Sequence, residues 1–446
     1  MGGLVLVLVV AYALMLGGGY STSTADGSAQ VAVFYPDSNS WRTFRRGVEA
    51  CQERGLLRVV EEGGDWVLVR STDQGRRVRF CWDAALGERE LRQHLHNRLN
   101  APNRPVAVVG SINTTLTLTL ARELAAWSRS QRTLGPALLV TGATSVEVER
   151  SPSTGPSVEP IPESQPLLDV YPGRTFRFCL NNRRLASLVI DYLSEQKGET
   201  PSTVFVVVDR YDPFSEDLAA FFDEAISQHF PETPILLREP SADVAPGAEF
   251  DEVALAEEIW GRVRQAGADK SDHPVWVMLT TQGEPAERVL AAIKSRGPEE
   301  PTRALRLLCG DGVGRSTLLT LARSMPCPMV SSTSNSPRVQ GLSVLDAVAQ
   351  GQIEAEVVSA ILTGLNQDPT DLAAALARLS IPAQVPRAIG RSLAFEGGER
   401  KGADLGHVLE VQPRSGVLEA HAPGPDRAWS TLRWVGEGWG AEAEPR

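Results

Sequence analysis

Short aliphatic runs alternate with longer amphipathic ones through most of the chain. "VAVFYP" (31–36) precedes "WRTFRRGVEACQERG" (41–55), "DWVLVRSTD" (65–73) precedes "GERELRQHLHNRL" (87–99), and "PVAVVG" (105–110) precedes "TLTLTLARELAAWSRS" (115–130). Val-rich runs without polar alternation are buried on both faces, so the pattern predicts parallel strands joined by crossover helices. After a Pro/Ser-rich break, "RSPSTGPSVEPIPESQP" (150–166), a second series begins. It contains "RRLASLVIDYLSEQ", "STVFVVVD", "SEDLAAFFDEAISQHF", "TPILLRE", "FDEVALAEEIWGRVRQAG", "HPVWVMLTT", "EPAERVLAAIKSRG" and "ALRLLCG". Each series has about 130 residues, an ordinary domain length. Past residue 331 a helical stretch, "GLSVLDAVAQGQIEAEVVSAILTGL", leads into a Gly-rich tail with the strand-like runs "SLAFEG", "HVLEVQ" and "RSGVLEAHA".

With 446 residues and an apolar fraction of 42%, the chain can bury two or three globular cores. A net charge of -11 without a Lys/Arg cluster argues against a nucleic-acid partner. Residues 4–16 are uncharged and almost wholly apolar, a length that suits a signal peptide or an N-terminal membrane anchor, and Ser23, Thr24 and Ala25 are small residues of the kind a signal peptidase accepts. The five cysteines (Cys51, Cys81, Cys179, Cys309, Cys327) form an odd set without metal-ligand spacing. At least one thiol is expected free, and each reads as a small buried hydrophobe.

The segment "LLCGDGVGRSTLLTLA" (307–322) sets three glycines around an acid between a strand-like and a helical run. A phosphate loop would need Lys-Ser/Thr after the last glycine, whereas Gly314 is followed by Arg315 and Ser316. A dinucleotide loop would not place a carboxylate against a pyrophosphate. Asp311 is therefore expected either to receive a cation or to cap the following helix. In "GSINTT", Thr114 and Thr115 put hydroxyls beside the unpaired amides of a helix N-terminus, which can receive a carboxylate or serve as a plain cap.

The order and spacing of "AVVGSINTTLTLTLARELA", "VTGATSVEV", "VFVVVDRYDPFSEDLAAFFDEAI", "GAEFDEVALAEEI" and "LLCGDGVGRSTLLTLA" resemble the type I periplasmic solute-binding proteins, in particular the branched-chain amino-acid branch. The resemblance implies an α/β fold of two doubly wound lobes joined by a three-stranded hinge, with ligand held in the cleft between them. Residues 1–29 would then be the leader, 30–173 the first lobe (completed by 333–388) and 174–332 the second (completed by 389–446). It further implies that Thr114, Thr115, Gly142, Ala143 and Thr144 meet a ligand carboxylate. Tyr211 and Phe214 would set an aromatic against the ligand, Trp41 would line the cleft from the other side, and Asp311 would pair with an α-ammonium. Asp311 is one methylene shorter than the Glu of similar proteins, and the Tyr-Gly of the family reads Phe214-Ser215 here. The implied protein is a monomer outside the cytoplasm that takes a small solute, an amino acid foremost, for an ABC permease, with no cofactor or metal. The alternative role is a sensing or interaction module on the same fold.

An enzyme is the competing class, and the sequence offers little for it. Of the histidines His94, His96, His229, His273, His407 and His421, only His94 and His96 are close in sequence, and an i, i+2 pair on a helix points to different faces. No HExxH, GxSxG or zinc-spaced Cys pair occurs.

Overall fold

The computed structural model describes residues 27–111, 113–149, 164–209, 212–238, 251–268, 273–281, 283–310, 324–333, 351–382, 392–401, 406–413, 418–423, 429–435 and 438–439. Residues 1–26 of the expected leader, Tyr211 and Asp311 lie outside the described residues.

The first half of the chain gives strands β1 (Ala29–Phe34), β2 (Leu57–Glu62), β3 (Trp66–Ser71), β4 (Arg77–Trp82), β5 (Pro105–Gly110), β6 (Ala137–Val140), β7 (Glu147–Glu149), β8 (Ser164–Pro166) and β9 (Thr175–Arg177). Helices α1 (Ser38–Glu53), α2 (Glu88–Asn100) and α3 (Thr114–Gln131) lie between them. The second half gives α4 (Asn182–Asp191), β10 (Thr203–Val207), α5 (Pro213–His229), β11 (Ile235–Arg238), α6 (Glu252–Ala268), β12 (Val275–Leu279), α7 (Gly283–Arg296), β13 (Leu305–Cys309) and β14 (Met329–Thr333). The remainder contributes α8 (Gln352–Gln367), α9 (Leu372–Ala377) and strands β15 (Ser380–Ile381), β16 (Leu393–Glu396), β17 (Glu399–Arg400), β18 (His407–Val411), β19 (Leu418–Pro423), β20 (Trp429–Val435) and β21 (Gly438–Trp439).

These strands make two large sheets, in the orders β15-β16-β17-β9-β6-β5-β1-β4-β3-β2 and β11-β10-β12-β13-β14-β18-β19-β20-β21. Each centres on a parallel set, β4-β1-β5-β6-β9 in the first lobe and β11-β10-β12-β13-β14 in the second. The central lobe 2 strands β10, β12 and β13 are buried on both faces. Phe205, Val207, Val277 and Leu307 join the core under α6 and α7, while Val204, Val206, Trp276 and Leu308 join the core under α4 and α5. In lobe 1, α1 packs against α8 and α2 against α3. Gly47 makes the first of these pairings close, because a Cβ there would lie 2.7 Å from the Ala355 amide nitrogen.

The chain passes between the sheets three times, after Arg177, after Thr333 and after Arg400. The hinge is therefore three-stranded, as anticipated, but two boundaries move. β9 and β16–β17 belong to the first sheet, so the changes of lobe come after Arg177 and Arg400 rather than at 173/174 and 388/389. Strands of two to four residues carry too little pattern to mark a boundary. The run "DWVLVRSTD" also differs from expectation. It is the middle strand, β3, of an antiparallel β2-β3-β4 meander, and β4 takes the parallel place beside β1. All five cysteines are free and buried.

Candidate ligand-binding cleft

In doubly wound sheets, ligands lie at the carboxyl ends of the strands, where backbone groups and helix N-termini are left unpaired. In lobe 1 those ends come from β1, β5 and β6. After β1, the buried Tyr35 hydroxyl lies 3.1 Å from Thr141 Oγ1 and 3.3 Å from Glu354 Oε1. Burial and the neighbouring Glu354 hold this phenol well above its usual pKa, so it stays a neutral donor. β5 ends at Gly110 with φ 135°, where a Cβ would fall 2.6 Å from the Phe34 carbonyl oxygen. Only glycine permits that approach.

The next turn starts α3. Asn113 caps it by accepting from the Leu116 amide (2.9 Å), and Thr117 Oγ1 accepts from the Ser111 amide (3.0 Å). The first amides of α3, those of Thr114 and Thr115, have no partner within the helix. The Thr114 side chain is buried, with its Oγ1 2.9 Å from Ser145 Oγ, whereas Thr115 is exposed. After β6, Ala143 and Thr144 are buried and Gly142 is half-buried. Two hydroxyls here have no hydrogen-bond partner although they are shut away from water: Ser111 Oγ and Thr144 Oγ1. Native proteins rarely leave such groups empty, and these two follow the ends of adjacent parallel strands.

The same loop meets lobe 2. Ser145 Oγ lies 3.4 Å from the Pro213 carbonyl oxygen, and the Val146 and Glu147 amides each donate to the Asp217 carboxylate at 2.9 Å. Asn182, the first residue of α4, donates from Nδ2 to Asp217 Oδ2 (2.9 Å) and to the Phe214 carbonyl (3.2 Å). The Asn182 amide donates to the Thr144 carbonyl at 2.7 Å. Arg177, fully buried at the start of the first crossing, donates to the Ser145 carbonyl and to Glu399 Oε1 (2.8 Å). Burial raises the pKa of Asp217 in spite of the donors around it. The seam between the lobes is thus built on one carboxylate with three donors.

Two expected wall residues are buried in the cores of the lobes. Trp41 is buried in the lobe 1 core, stacked on Phe44 (5.5 Å between centroids, 11° between planes) and Trp82 (6.1 Å, 7°), with its indole N–H on the Gly64 carbonyl at 2.8 Å. An indole satisfied in this way serves packing. Phe214 belongs to the lobe 2 core with its ring against Gly310, where a Cβ would lie 3.3 Å from Phe214 Cζ. Ser111, Ser145, Arg177, Asn182 and Asp217 are polar residues of the seam that sequence reasoning did not single out. Ser111, Ser145 and Asp217 stand inside the quoted motifs "GSINTT", "VTGATSVEV" and "VFVVVDRYDPFSEDLAAFFDEAI", but nothing local marks them as partners of distant residues.

A second polar cluster lies in lobe 2 on β18 and β19. Glu410, Glu419 and His421 are buried with ligand-type atoms within 4.8 Å of one another. Cations of the protein already hold Glu410, with Lys197 Nζ and Arg306 Nη1 at 2.8 and 2.9 Å. Tyr192 donates to Glu410 (2.6 Å) and lies 2.8 Å from His421 Nε2. Burial favours the acid form of Glu410, but Lys197 and Arg306 prevail and keep its pKa low, while burial pushes His421 down to about 4. The cluster fixes β18 and β19 to the segment that follows α4 and to β13 as a structural network.

No protein-family model and no curated protein matches the chain. Solved structures do. An ABC transporter substrate-binding protein from Desulfitobacterium hafniense, in complex with Leu, superposes with a TM-score of 0.58 at 15% identity, covering 86% of this chain and 98% of that one. A leucine-, isoleucine-, valine-, threonine- and alanine-binding protein from Brucella ovis in its closed conformation gives 0.60 at 10% identity, covering 92% and 94%. A solute-binding protein of an ABC transporter from R. palustris, in complex with benzoate, gives 0.53 at 10% identity, covering 86% and 94%. Identities of 10–15% speak for architecture, and the architecture is that of the type I periplasmic binding proteins.

Proposed function

We propose that the chain is an extracytoplasmic solute-binding protein that encloses a small carboxylate-bearing solute between its lobes, without turnover. The observation that carries the reading is the pair of buried, unpartnered hydroxyls, Ser111 Oγ and Thr144 Oγ1, flanking the N-terminus of α3. Hydroxyl and amide donors beside a helix N-terminus form a receptor for an anion rather than for a cation or sugar. The solutes named for the similar structures, leucine and benzoate, differ in shape and amine but share a carboxylate. An amino acid is the favoured solute, with Asp311 as the partner of its ammonium. A permease of the ABC class is the proposed partner.

The reading is tested by thermal shift of the full chain with L-leucine, leucinamide, benzoate and glucose. A ligand bound only by the folded state at 100 times its Kd stabilises by about 2.7 kcal/mol. Leucine or benzoate should raise the melting temperature, leucinamide less, and glucose not at all. Stabilisation by glucose alone would reject the carboxylate receptor.

A further inference from the structure

Beyond the two hydroxyls of the receptor, two buried polar atoms on the lobe 2 side of the seam have no hydrogen-bond partner: Asn182 Oδ1 and Ser332 Oγ. Asn182 is fully buried and Ser332 is 1% exposed. Chemistry fixes which way the Asn182 amide is turned. Its nitrogen has two hydrogens, and both are used, on Asp217 Oδ2 at 2.9 Å and on the Phe214 carbonyl at 3.2 Å. Turning the amide over would set its oxygen against two acceptors. The oxygen therefore keeps its lone pairs for a donor that the chain does not supply.

The place of these atoms says what the donor belongs to. Asn182 meets the start of α5, which follows the carboxyl end of β10, so it stands at the cleft end of lobe 2. Its own amide donates to the Thr144 carbonyl at 2.7 Å. One backbone hydrogen bond thus joins the residue with the empty acceptor to a residue with an empty donor, and a group that meets both is short. Ser332 is the fourth residue of β14. Val330, two residues earlier and on the same face, packs in the core that holds Leu185 and Val189 of α4, and α4 lies against β14. Ser332 is therefore on the α4 side of the sheet, at the same end as Asn182.

We propose that Asn182 Oδ1 accepts a hydrogen bond from a donor on the carbon beside the solute's carboxylate, with Ser332 Oγ as a second partner of that donor, so that the site selects α-amino or α-hydroxy carboxylates over simple ones. The inference rests on the carboxylate receptor at Ser111 and Thr144. An amide oxygen carries no full charge, so it takes a hydroxyl as well as an ammonium, whatever Asp311 contributes. The Ser332 hydroxyl can accept from an ammonium or donate to a hydroxyl oxygen. A carboxylate that lacks the donor leaves the Asn182 oxygen shut away from water and unpaired, and a site built in this way rejects such a solute.

The probes are L-leucine, L-leucic acid and isocaproate, which share one carbon skeleton and bear an ammonium, a hydroxyl or a hydrogen on the α-carbon. Calorimetric titration of the full chain should show leucic acid bound at least about tenfold more tightly than isocaproate. Asn182→Ala should bring the two acids to nearly equal affinity, and Ser332→Ala should narrow the gap several-fold. Asn182→Ala also frees Asp217 and loosens the seam, so the quantity read is the ratio of the two affinities in one protein; loosening weakens both acids alike. Asp217→Ala, which disturbs the seam but leaves the Asn182 oxygen in the chain, should keep the ratio. If Asn182→Ala does not fold, the ratio in the unsubstituted protein and in Ser332→Ala decides. Isocaproate bound as tightly as leucic acid by the unsubstituted protein would overturn the inference and leave the receptor standing, with the empty oxygen holding water only. A preference for leucic acid that survives Asn182→Ala would overturn it as well. Binding of none of the three would instead remove the receptor, and the inference with it.

Discussion

At the scale of single residues, the seam is defined by groups that are buried and polar at once. Thr144 is the most informative, since its hydroxyl has no partner while its carbonyl is fixed by the Asn182 amide. The loop is therefore positioned without using the hydroxyl. Thr144→Val keeps the shape and removes the donor. If a carboxylate lies there, leucine affinity should fall by about 1.5–3 kcal/mol, the usual worth of a hydrogen bond to a charged group. Leucinamide should lose less, and calorimetric titration of both ligands measures the difference; equal losses would leave Thr144 a packing residue. Ser111→Ala should behave alike. His421 allows a different test. Its folded-state pKa of about 4 lies below the ordinary 6.5, so below pH 6.5 the unfolded chain takes up a proton that the folded chain refuses. Stability should be unaffected above that range and fall between pH 6.5 and 4, by on the order of 3 kcal/mol in full. Urea unfolding at stepped pH should show the slope, and His421→Gln should flatten it.

At the scale of elements, the sequence showed the strand–helix alternation because lobe 2 strands such as "STVFVVVD" and "HPVWVMLTT" are apolar on both faces. It hid the meander because arginines and glutamates interrupt β2 and β4: Arg58, Glu61 and Glu62 in one, Arg77 and Arg79 in the other. A chain that spends apolar positions on one face only, with charges on the other, does not read as a parallel strand. The site was legible locally only in the hydroxyls of Thr114 and Thr115 at a helix N-terminus, whose cap is Asn113; Gly142, Ala143 and Thr144 entered only through the resemblance, which was also needed to join the pieces. What tied them to lobe 2 was not legible, since Asp217 meets amides 70 and 71 residues away and Asn182 35 residues away. Asp217 joins α5 to the lobe 1 loop, so Asp217→Ala leaves the Val146 and Glu147 amides and the Asn182 side chain short of an acceptor. The expected cost is on the order of 3 kcal/mol at about 1–3 kcal/mol per stranded donor. The variant should also expand in solution, read as a larger radius of gyration. An unchanged unfolding midpoint and radius would make the seam a passive contact.

At the scale of the whole molecule, three crossings restrain the lobes. Arg400, beside the third crossing, is buried against Glu356 of α8, the helix that follows the second. Its Nη1 also lies 3.4 Å from the Phe178 carbonyl at the start of the first crossing. A hinge whose segments are fastened together on the lobe 1 side should move as a unit, with rotation concentrated in the lobe 2 side of each crossing. Closure must then be driven by something that bridges the lobes. The proposed receptor at Ser111 and Thr144 belongs to lobe 1, and the proposed ammonium partner Asp311 follows β13 of lobe 2 in the sequence. An amino acid with both charges would span the cleft, whereas benzoate would engage lobe 1 alone. Small-angle scattering separates these cases: L-leucine at saturation should reduce the radius of gyration, and benzoate should bind with a smaller reduction. Asp311→Asn, which keeps any capping role but removes the charge, should abolish the difference and cost leucine affinity on the order of 2–5 kcal/mol while sparing benzoate. If the substituted protein closes on leucine as the parent does, the ammonium is read by another group, and the amino-acid assignment gives way to a simple carboxylate.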